Sequence, residues 1–381
     1  MLEKIDKSLH KICSENSSNN KSLNVIIYAN NLDMLIDTLS VRYDEICVYD
    51  FICALGLKIK NNDLIQLSQL NTVKYITSVS MVSNSIHIAK EVIHYDKIYN
   101  IKESDNKSIA IIDTGIFTHI DFVLGRNRIV KFVDLVNKKT MPYDDNGHGT
   151  FVAGLVGAND VIYGGYYDGV DKGANLIIIK ALNDMGEGDS LKILEAMQYV
   201  LDNKEKLNIG VVCMSFGSVP LGKNDPLVLG SEVMWNNGIV VVAAAGNNGP
   251  EIETIKSPGS SSKVITVGAM DDDRNNEFRD MKVADFSSRG PSFNRYKPDI
   301  IVSGVDVVST ARFDVDNTFY TTMSGTSVST PIVAGVALKL LKHKTYSPDQ
   351  IKKKLLLAAT PITFDRNAEG FGLLDLEKLV L

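Results

Sequence analysis

Three short motifs hold residue types that could together break an acyl bond. Asp113 directly follows an apolar run, His148 stands between two glycines before a helix-like stretch, and Ser327 opens a second such stretch. Each motif alone has an ordinary explanation. The aspartate could belong to a turn, the histidine could cap a helix or bind a metal, and the serine could cap a helix. The combination is more specific than any member.

The three residues follow one another in the order Asp, His, Ser, which is one of the orders in which serine hydrolases arrange a catalytic triad. A serine hydroxyl is a weak nucleophile at neutral pH and therefore needs an adjacent base. On this interpretation Ser327 attacks a carbonyl carbon, and His148 takes its proton and later returns it to the leaving group. Asp113 orients the imidazole and stabilises its charged form.

Asn247 could supply a fourth catalytic group. It follows Gly246 at the end of the apolar run IVVVAAAG, where a turn residue is the ordinary interpretation. Beside a triad, however, its amide could donate to the oxyanion that develops on the attacked carbonyl. The backbone N–H of Ser327 would be the second donor. We therefore predict a catalytic role for Asn247.

These motifs resemble those of the subtilase family, the subtilisin-like serine proteases, over about residues 95–381. The resemblance is carried by IAIIDTGI (109–116), NGHGTFVAG (146–154), MSFG (214–217), VVVAAAGNNGP (240–250), SPGSSSKVITVGAMD (257–271), FSSRGP (286–291), KPDI (297–300) and SGTSVSTPIVAG (324–335). FSSRGP and KPDI resemble bacterial subtilases, intracellular members included. The chain departs from the family at Val328-Ser329, where Met-Ala is usual, and at 302–304, where Ala-Pro-Gly is usual. We interpret the second departure as a backbone change at a distance.

The elements that must position these residues alternate along the chain. Strand-like runs are found at 109–112, 175–179, 210–214, 239–245 and 264–268, and helix-like stretches near 148–157, 190–205 and 227–237. Such alternation predicts an α/β fold with a mostly parallel central sheet that is covered on both faces. Functional loops then lie at the carboxyl ends of the strands. The resemblance implies a subtilisin-like three-layer domain over residues 86–381.

Residues 1–85 form a separate small α+β unit in this interpretation. We predict strands at 23–28, 46–49 and 73–76 and helices at 31–42 and 61–70. In size and position the unit resembles a subtilase prodomain, which assists folding and inhibits the active site. Assistance with folding is physically reasonable because a parallel sheet, with its non-local contacts, folds slowly. We expect its tail, around 77–90, to lie in the active-site cleft and self-cleavage to occur near there. An unrelated docking domain is the alternative.

The resemblance also implies a substrate groove. The residues that would form it are Ser215, Phe216, Gly217, Ala244, Ala245 and Gly246 as pocket walls, with Gly186, Glu187 and Gly188 as an edge strand for the substrate backbone. Lys256 falls where the family places the floor of the pocket, and a lysine is unusual there. Either it biases the pocket towards acidic or polar side chains, or it extends to solvent.

Composition excludes several functional classes. The chain has 381 residues and a formal net charge of −6, which disfavours nucleic acid as a partner. The sequence shows no signal peptide and no apolar run of membrane-spanning length, so we expect no membrane partner and a cytoplasmic location. The four cysteines lack CxxC spacing and are expected to be free, buried thiols, with a redox-sensitive pair Cys47/Cys53 as the alternative.

No cofactor is required by triad chemistry, and we predict no metal ligands. The segment 159–173 contains Asp160, Asp168 and Asp171 in a spacing that matches no calcium pattern, so we expect a solvated loop; a structural calcium ion is left open. The expected partners are a peptide or protein substrate and the chain's own prodomain.

The predicted function is serine endopeptidase activity, in a general or a precursor-specific form. A catalytically silent subtilase-fold protein that binds peptides or regulates a partner is the alternative. A lipase-type hydrolase is disfavoured because a GxSxG elbow in the right order is missing, and a metalloprotease because HExxH is missing.

Overall fold

The computed structural model describes residues 4–5, 9, 22–43, 46–60, 63–78, 81–83, 94, 98, 101–162, 167–271, 281–316 and 318–380. The strands are β1 Ser22–Ala29, β2 Ile46–Tyr49, β3 Ala54–Lys60, β4 Val73–Ser78, β5 Met81–Ser83, β6 Ser108–Asp113, β7 Ile129–Asp134, β8 Asn175–Lys180, β9 Glu187–Asp189, β10 Ile209–Met214, β11 Val240–Ala244, β12 Ile265–Asp271, β13 Lys282–Val283, β14 Ile300–Ser303, β15 Val307–Thr310, β16 Tyr320–Met323, β17 Ala359–Thr360 and β18 Leu373–Leu374. The helices are α1 Leu32–Ser40, α2 Asp63–Ser68, α3 Ile120–Val123, α4 His148–Gly157, α5 Ser190–Asn203, α6 Pro226–Asn236, α7 Phe313–Asp316, α8 Thr326–His343, α9 Pro348–Leu357 and α10 Arg366–Glu369.

The main sheet has the strand order β17-β18-β14-β12-β11-β10-β6-β8-β7, with β13 paired to β12. From β14 to β7 every neighbouring pair is parallel. Each residue of β6, β8, β10 and β11 is buried. A strand whose successive side chains point to opposite faces can be buried throughout only if both faces are covered. The three-layer α/β domain expected from the sequence is therefore confirmed.

The two longest buried helices start at the catalytic motifs. Helix α8 crosses β10, β11, β12 and β14 and packs against α4, while α5 and α6 pack together beside β6 and β11. Every residue of α4 is buried, and α8 is buried from Thr326 to Lys342, so both helices lie in the interior of the domain. Their N-terminal ends bring His148 and Ser327 to the carboxyl edge of the sheet.

The N-terminal unit is an antiparallel sheet of order β2-β3-β1-β4. One of its faces packs on α1 and α2 in a core of its own. The other face, including Ile26 and Tyr28, joins the main hydrophobic core. Two tyrosines tie the units together: Tyr28 Oη donates to the Asn224 carbonyl (2.9 Å) and Tyr49 Oη to the Leu191 carbonyl (3.0 Å).

Strand β3 was not among the predicted strands. The two units approach each other closely at Gly56, since a β-carbon there would collide with the Leu191 side chain. The small residue is thus explained by docking of α5 rather than by a loop.

The expectation of buried thiols is wrong for two cysteines. Cys47 and Cys53 are free and exposed, whereas Cys213 is free and buried. Cys47 lies on β2, and Cys53 occupies a left-handed turn (φ 51°) that ends a short 3-10 segment. Neither position faces a core. Cys13 lies outside the described residues.

Candidate active site

The Asp113 carboxylate and the His148 imidazole form a buried pair. Asp113 ends β6, and its Oδ1 accepts hydrogen bonds from His148 Nδ1 (2.8 Å) and from the Thr114 backbone N–H (2.7 Å). Both side chains are fully shielded from solvent. The contact leaves Nε2 as the nitrogen able to exchange a proton with a nucleophile. Nε2 has no hydrogen-bond partner within the described part of the chain, and in substrate-free enzymes this bond is often long.

Asp144 holds the loop before His148 in place. Its Oδ1 accepts from Thr114 Oγ1 and from the Asn146 and Gly147 backbone N–H groups, and its Oδ2 accepts from the backbone and the hydroxyl of Thr150. One buried carboxylate therefore joins the turn after Asp113 to the start of α4. The run of acidic residues before NGHGT was the sequence signal for this role, and sequence reasoning missed it.

Lys180 supports the same turn from below. It is the residue of β8 paired with Asp113. Its side chain is fully buried, and its ammonium donates to the carbonyls of Thr114 (2.7 Å) and Leu182 (2.9 Å) and pairs with Asp145. Charge-assisted hydrogen bonds of this kind compensate the burial of a lysine.

Cys213 is a thiol close to the pair that has no reactive character. Burial raises its pKa to about 12; the hydrogen bond with Ser215 lowers the pKa and the charge of Asp113 raises it. A thiol of that pKa remains protonated at neutral pH and is a poor nucleophile. Ser327 is therefore the better nucleophile candidate beside His148.

Asn247 is oriented by the residue that precedes Ser327. Its Oδ1 accepts from the backbone N–H of Thr326 (3.0 Å) and from the Thr326 hydroxyl (2.8 Å). A backbone N–H can only donate, so the amide oxygen must face Thr326 and Nδ2 must point away from it. The hydroxyl also accepts from the Gly246 N–H (3.1 Å). Ser327 is the second residue of α8, and the backbone N–H groups of the first turn point out of the N-terminal end of a helix. Both predicted oxyanion donors thus lie beside one another.

The two departures from the family pattern touch each other, so our interpretation of 302–304 as a distant change is wrong. Ser329 Oγ lies 3.2 Å from the carbonyl of Val302 and 3.1 Å from that of Ser303, within hydrogen-bond distance of both. The Gly325 N–H donates to the Gly304 carbonyl (2.9 Å). The end of β14 and the glycine that follows it therefore support the first turn of α8, and the serine hydroxyl is satisfied inside the core.

The residues predicted as pocket walls follow β10 and β11 at the carboxyl edge. Gly217 and Gly246 face the side chain of Lys256 from two sides. Ser215, Ala244 and Ala245 are buried. Phe216 is also buried, and its side chain belongs to the main core.

The predicted edge strand is paired with the tail of the N-terminal unit. Strand β5 runs antiparallel to β9, with Val82 opposite Gly188 and Ser83 opposite Glu187. Gly186 adopts φ 74° in the turn before the strand. A β-carbon on Gly188 would crowd the Ala181 carbonyl at 2.6 Å, so this edge must stay free of a side chain at that position.

The segment 159–173 is not a solvated loop in its described part. Asp160, Asp168 and Asp171 are 1%, 6% and 1% exposed. Asp160 accepts from the Tyr167 N–H, Asp168 pairs with Lys172, and Asp171 pairs with the buried ammonium of Lys342. Because each carboxylate already has a separate internal partner, these residues do not fit a shared calcium site.

One cluster of potential metal ligands is found in the described ranges, and it lies apart from the triad. It consists of His94, Asp375 and Glu377, at the surface near the chain's last short helical turn. His94 Nδ1 is 3.1 Å from the Asp375 carboxylate, which accounts for the cluster as a surface ion pair.

The fold and this arrangement of side chains are those of a subtilisin-like domain, as the motifs predicted. A model of the subtilase family matches residues 104–373. The chain belongs to the subtilase family.

Among curated proteins, the chain is 43% identical over 268 residues to the serine protease AprX of Bacillus subtilis strain 168; the match covers 65% of this chain and 60% of AprX. It is 34% identical over 264 residues to the subtilase-type proteinase RRT12 of Saccharomyces cerevisiae, covering 68% and 48%. With subtilisin DY of Bacillus licheniformis it shares 36% identity over 276 residues, covering 71% and 90%. The chain thus spans less than two thirds of the first two relatives.

A separate observation concerns membranes. Within the described residues, none of the helices combines the length and the apolar character that crossing a bilayer would require.

We predict that Asn247→Ala lowers kcat about 10²–10³-fold with little change in KM, because the amide would act only on the transition state. Subtilisin itself is the enzyme on which this magnitude rests. Asn248→Ala, a change at the exposed neighbouring side chain, is the matched control and should keep wild-type kcat. Steady-state kinetics on one peptide substrate checks both, and equal kcat values for the two variants would contradict the assignment.

We predict that Asp144→Asn lowers kcat about 100-fold because His148 would be misplaced. The amide NH₂ would face N–H and O–H donors from which the carboxylate oxygen accepts hydrogen bonds. The exposed Asp184→Asn serves as control. Comparable kcat for Asp144→Asn and wild type would show that the five hydrogen bonds do not position the histidine.

Proposed function

We propose that this chain is an active serine endopeptidase in which Asp113, His148 and Ser327 form the triad and Asn247 serves as an oxyanion donor. The observation that carries the proposal is the buried hydrogen bond between Asp113 and His148. The Thr326-oriented amide beside Ser327 adds a preformed electrostatic site. A peptide carbonyl that accepts a hydrogen bond from this amide would lie beside the nucleophile, Ser327, and the proton acceptor, His148.

In the first half-reaction, Ser327 Oγ attacks the carbonyl carbon of the scissile peptide and its proton passes to His148 Nε2. The carbonyl π electrons move to oxygen, where Asn247 Nδ2–H and the Ser327 backbone N–H donate hydrogen bonds. When the tetrahedral intermediate collapses, the C–N bond breaks and His148 gives the proton to the leaving amine. An acyl ester on Ser327 remains.

In the second half-reaction, water takes the place of the amine. His148 accepts one water proton as the oxygen attacks the ester carbonyl, and the same two donors hold the second oxyanion. Collapse breaks the ester C–O bond and returns the proton to Ser327 Oγ. Asp113 stays ionised in both halves and stabilises the imidazolium. The chemistry requires no cofactor, and no step involves calcium.

Residues 1–85 act in this proposal as a prodomain whose tail occupies the substrate groove, with 86–381 as the catalytic domain. Two observations support it. The N-terminal sheet covers α5 and α6 with an apolar face that would otherwise be exposed. Strand β5 adds to β9 by main-chain pairing, the mode by which a protease groove binds an extended peptide. Self-cleavage near 77–90 would follow.

The physiological substrate in this proposal is a peptide or protein, either many or one specific precursor. The expected cytoplasmic location stays a prediction from sequence. A catalytically silent peptide-binding protein is the competing function, and no observation on the described residues favours it.

We predict that the purified wild-type chain splits near residues 77–90 and that Ser327→Ala stays whole, because the mutant lacks the nucleophile but keeps the fold. Intact mass spectrometry and denaturing gels make the comparison. Equal thermal unfolding midpoints would show that the variant is folded.

If both chains stay whole, an assay of the wild type on a broad peptide library distinguishes an active enzyme from a silent one. Hydrolysis would mean a competent enzyme that does not process itself. No hydrolysis of any peptide would contradict the endopeptidase and leave the silent peptide-binding protein.

A further inference from the structure

Lys256 fills a narrow slot between the two loops that follow β10 and β11. A β-carbon on Gly217 would stand 2.5 Å from Lys256 Cβ, and one on Gly246 would collide with Lys256 Cγ. The first two methylenes of the lysine therefore lie directly against both glycines. No larger residue would fit at either position without displacing this side chain.

The slot borders the reacting atoms. Gly246 immediately precedes Asn247, and the Asn247 amide is fixed beside Ser327 by Thr326. In a bound peptide, the carbonyl group that accepts a hydrogen bond from Asn247 is attached to an α-carbon. The side chain of that substrate residue is attached to the same α-carbon. That side chain therefore extends from a point next to Gly246, which lies directly against the Lys256 side chain.

Within the described ranges of the chain, no ion pair involves the Lys256 ammonium. The side chain is half-buried, and burial lowers its pKa with no compensating carboxylate. The nearby buried carboxylate, Asp225, is already engaged by Ser257 Oγ (2.7 Å) and by the N–H groups that begin α6. A partly desolvated cation without a partner is the condition under which a ligand carboxylate binds with most selectivity.

We propose that Lys256 makes this protein selective for peptides with Glu or Asp at the residue whose carbonyl is attacked. The inference rests on the proposed endopeptidase function and names its substrate class. The substrate carboxylate would pair with the ammonium, while the lysine methylenes occupy the space that a large aromatic side chain would need.

The chain's own tail bears on this proposal. The segment 77–90 contains neither Asp nor Glu. Under the inferred selectivity, this segment presents a disfavoured residue at the cleavage position. We therefore expect the segment to be cut slowly, although it lies close to the active site. Until it is cut, it would act as an effective inhibitor.

The test compares peptides that are identical except for Glu or Gln before the scissile bond. For the wild-type chain we expect kcat/KM for Glu to exceed that for Gln by about tenfold or more. Lys256→Met keeps the stem in the slot and removes the charge, so the ratio should fall to about one. Lys256→Glu should invert the preference in favour of Lys or Arg. Salt at about 0.5 M should lower the wild-type ratio.

Lys131→Met, at an exposed position on β7, is the matched control and should leave the ratio unchanged. A wild-type ratio near one, or a ratio that persists in Lys256→Met, would overturn the inference and show a lysine that only extends to solvent. Hydrolysis of an unbiased peptide library separates the two claims. Library hydrolysis with a flat Glu/Gln ratio refutes the selectivity alone, whereas no hydrolysis of any peptide refutes the endopeptidase and the selectivity together.

Discussion

A carboxylate and an imidazole from distant parts of the chain meet inside the protein, away from water, in the hydrogen bond between Asp113 and His148. Burying the carboxylate is costly unless its donors are fixed, and much of the surrounding structure supplies that fixation. Asp144 joins the two loops, and Gly149 sits so close to the Gly115 carbonyl that a β-carbon would collide with it. Lys180 holds the turn from the neighbouring strand. Together, Asp144, Gly149 and Lys180 hold the Asp113 and His148 side chains in this one arrangement.

The second half of the site depends on the sheet in a different way. Strand β11 and helix α8 are far apart in sequence, yet the Thr326 hydroxyl accepts a hydrogen bond from the Gly246 N–H. The same hydroxyl and the Thr326 backbone N–H both donate to Asn247 Oδ1 and so orient this side chain. If Asn247 acts as the proposed oxyanion donor, its amide would be oriented before substrate arrives and would need no rearrangement during the reaction. The pairing of β9 with β5 gives the N-terminal unit a main-chain contact in addition to its apolar face and its two tyrosine hydrogen bonds.

Much of the fold and the candidate site could be read from the sequence because the decisive signals are local. The continuous apolar runs that became β6, β8, β10 and β11, and the glycines beside His148, are recognisable one motif at a time. What could not be read depends on three-dimensional neighbours. Gly56 lies against Leu191 and Asp171 pairs with Lys342, and in each case the two residues are so distant in sequence that no local pattern indicates the contact. Ser329 and 302–304 were interpreted separately, although their contact explains both.

The central claim is that Asp113 and His148 make Ser327 the reactive nucleophile, and labelling with a fluorophosphonate tests it most directly. The chain and its His148→Ala variant would first be trimmed at the N-terminal tail by the same added protease, so that access to the site is equal. Peptide mass spectrometry then locates the adduct. The account predicts a single adduct on Ser327 in the wild type and almost none in the variant. Labelling at another serine, or equal labelling of Ser327 in both proteins, would contradict it.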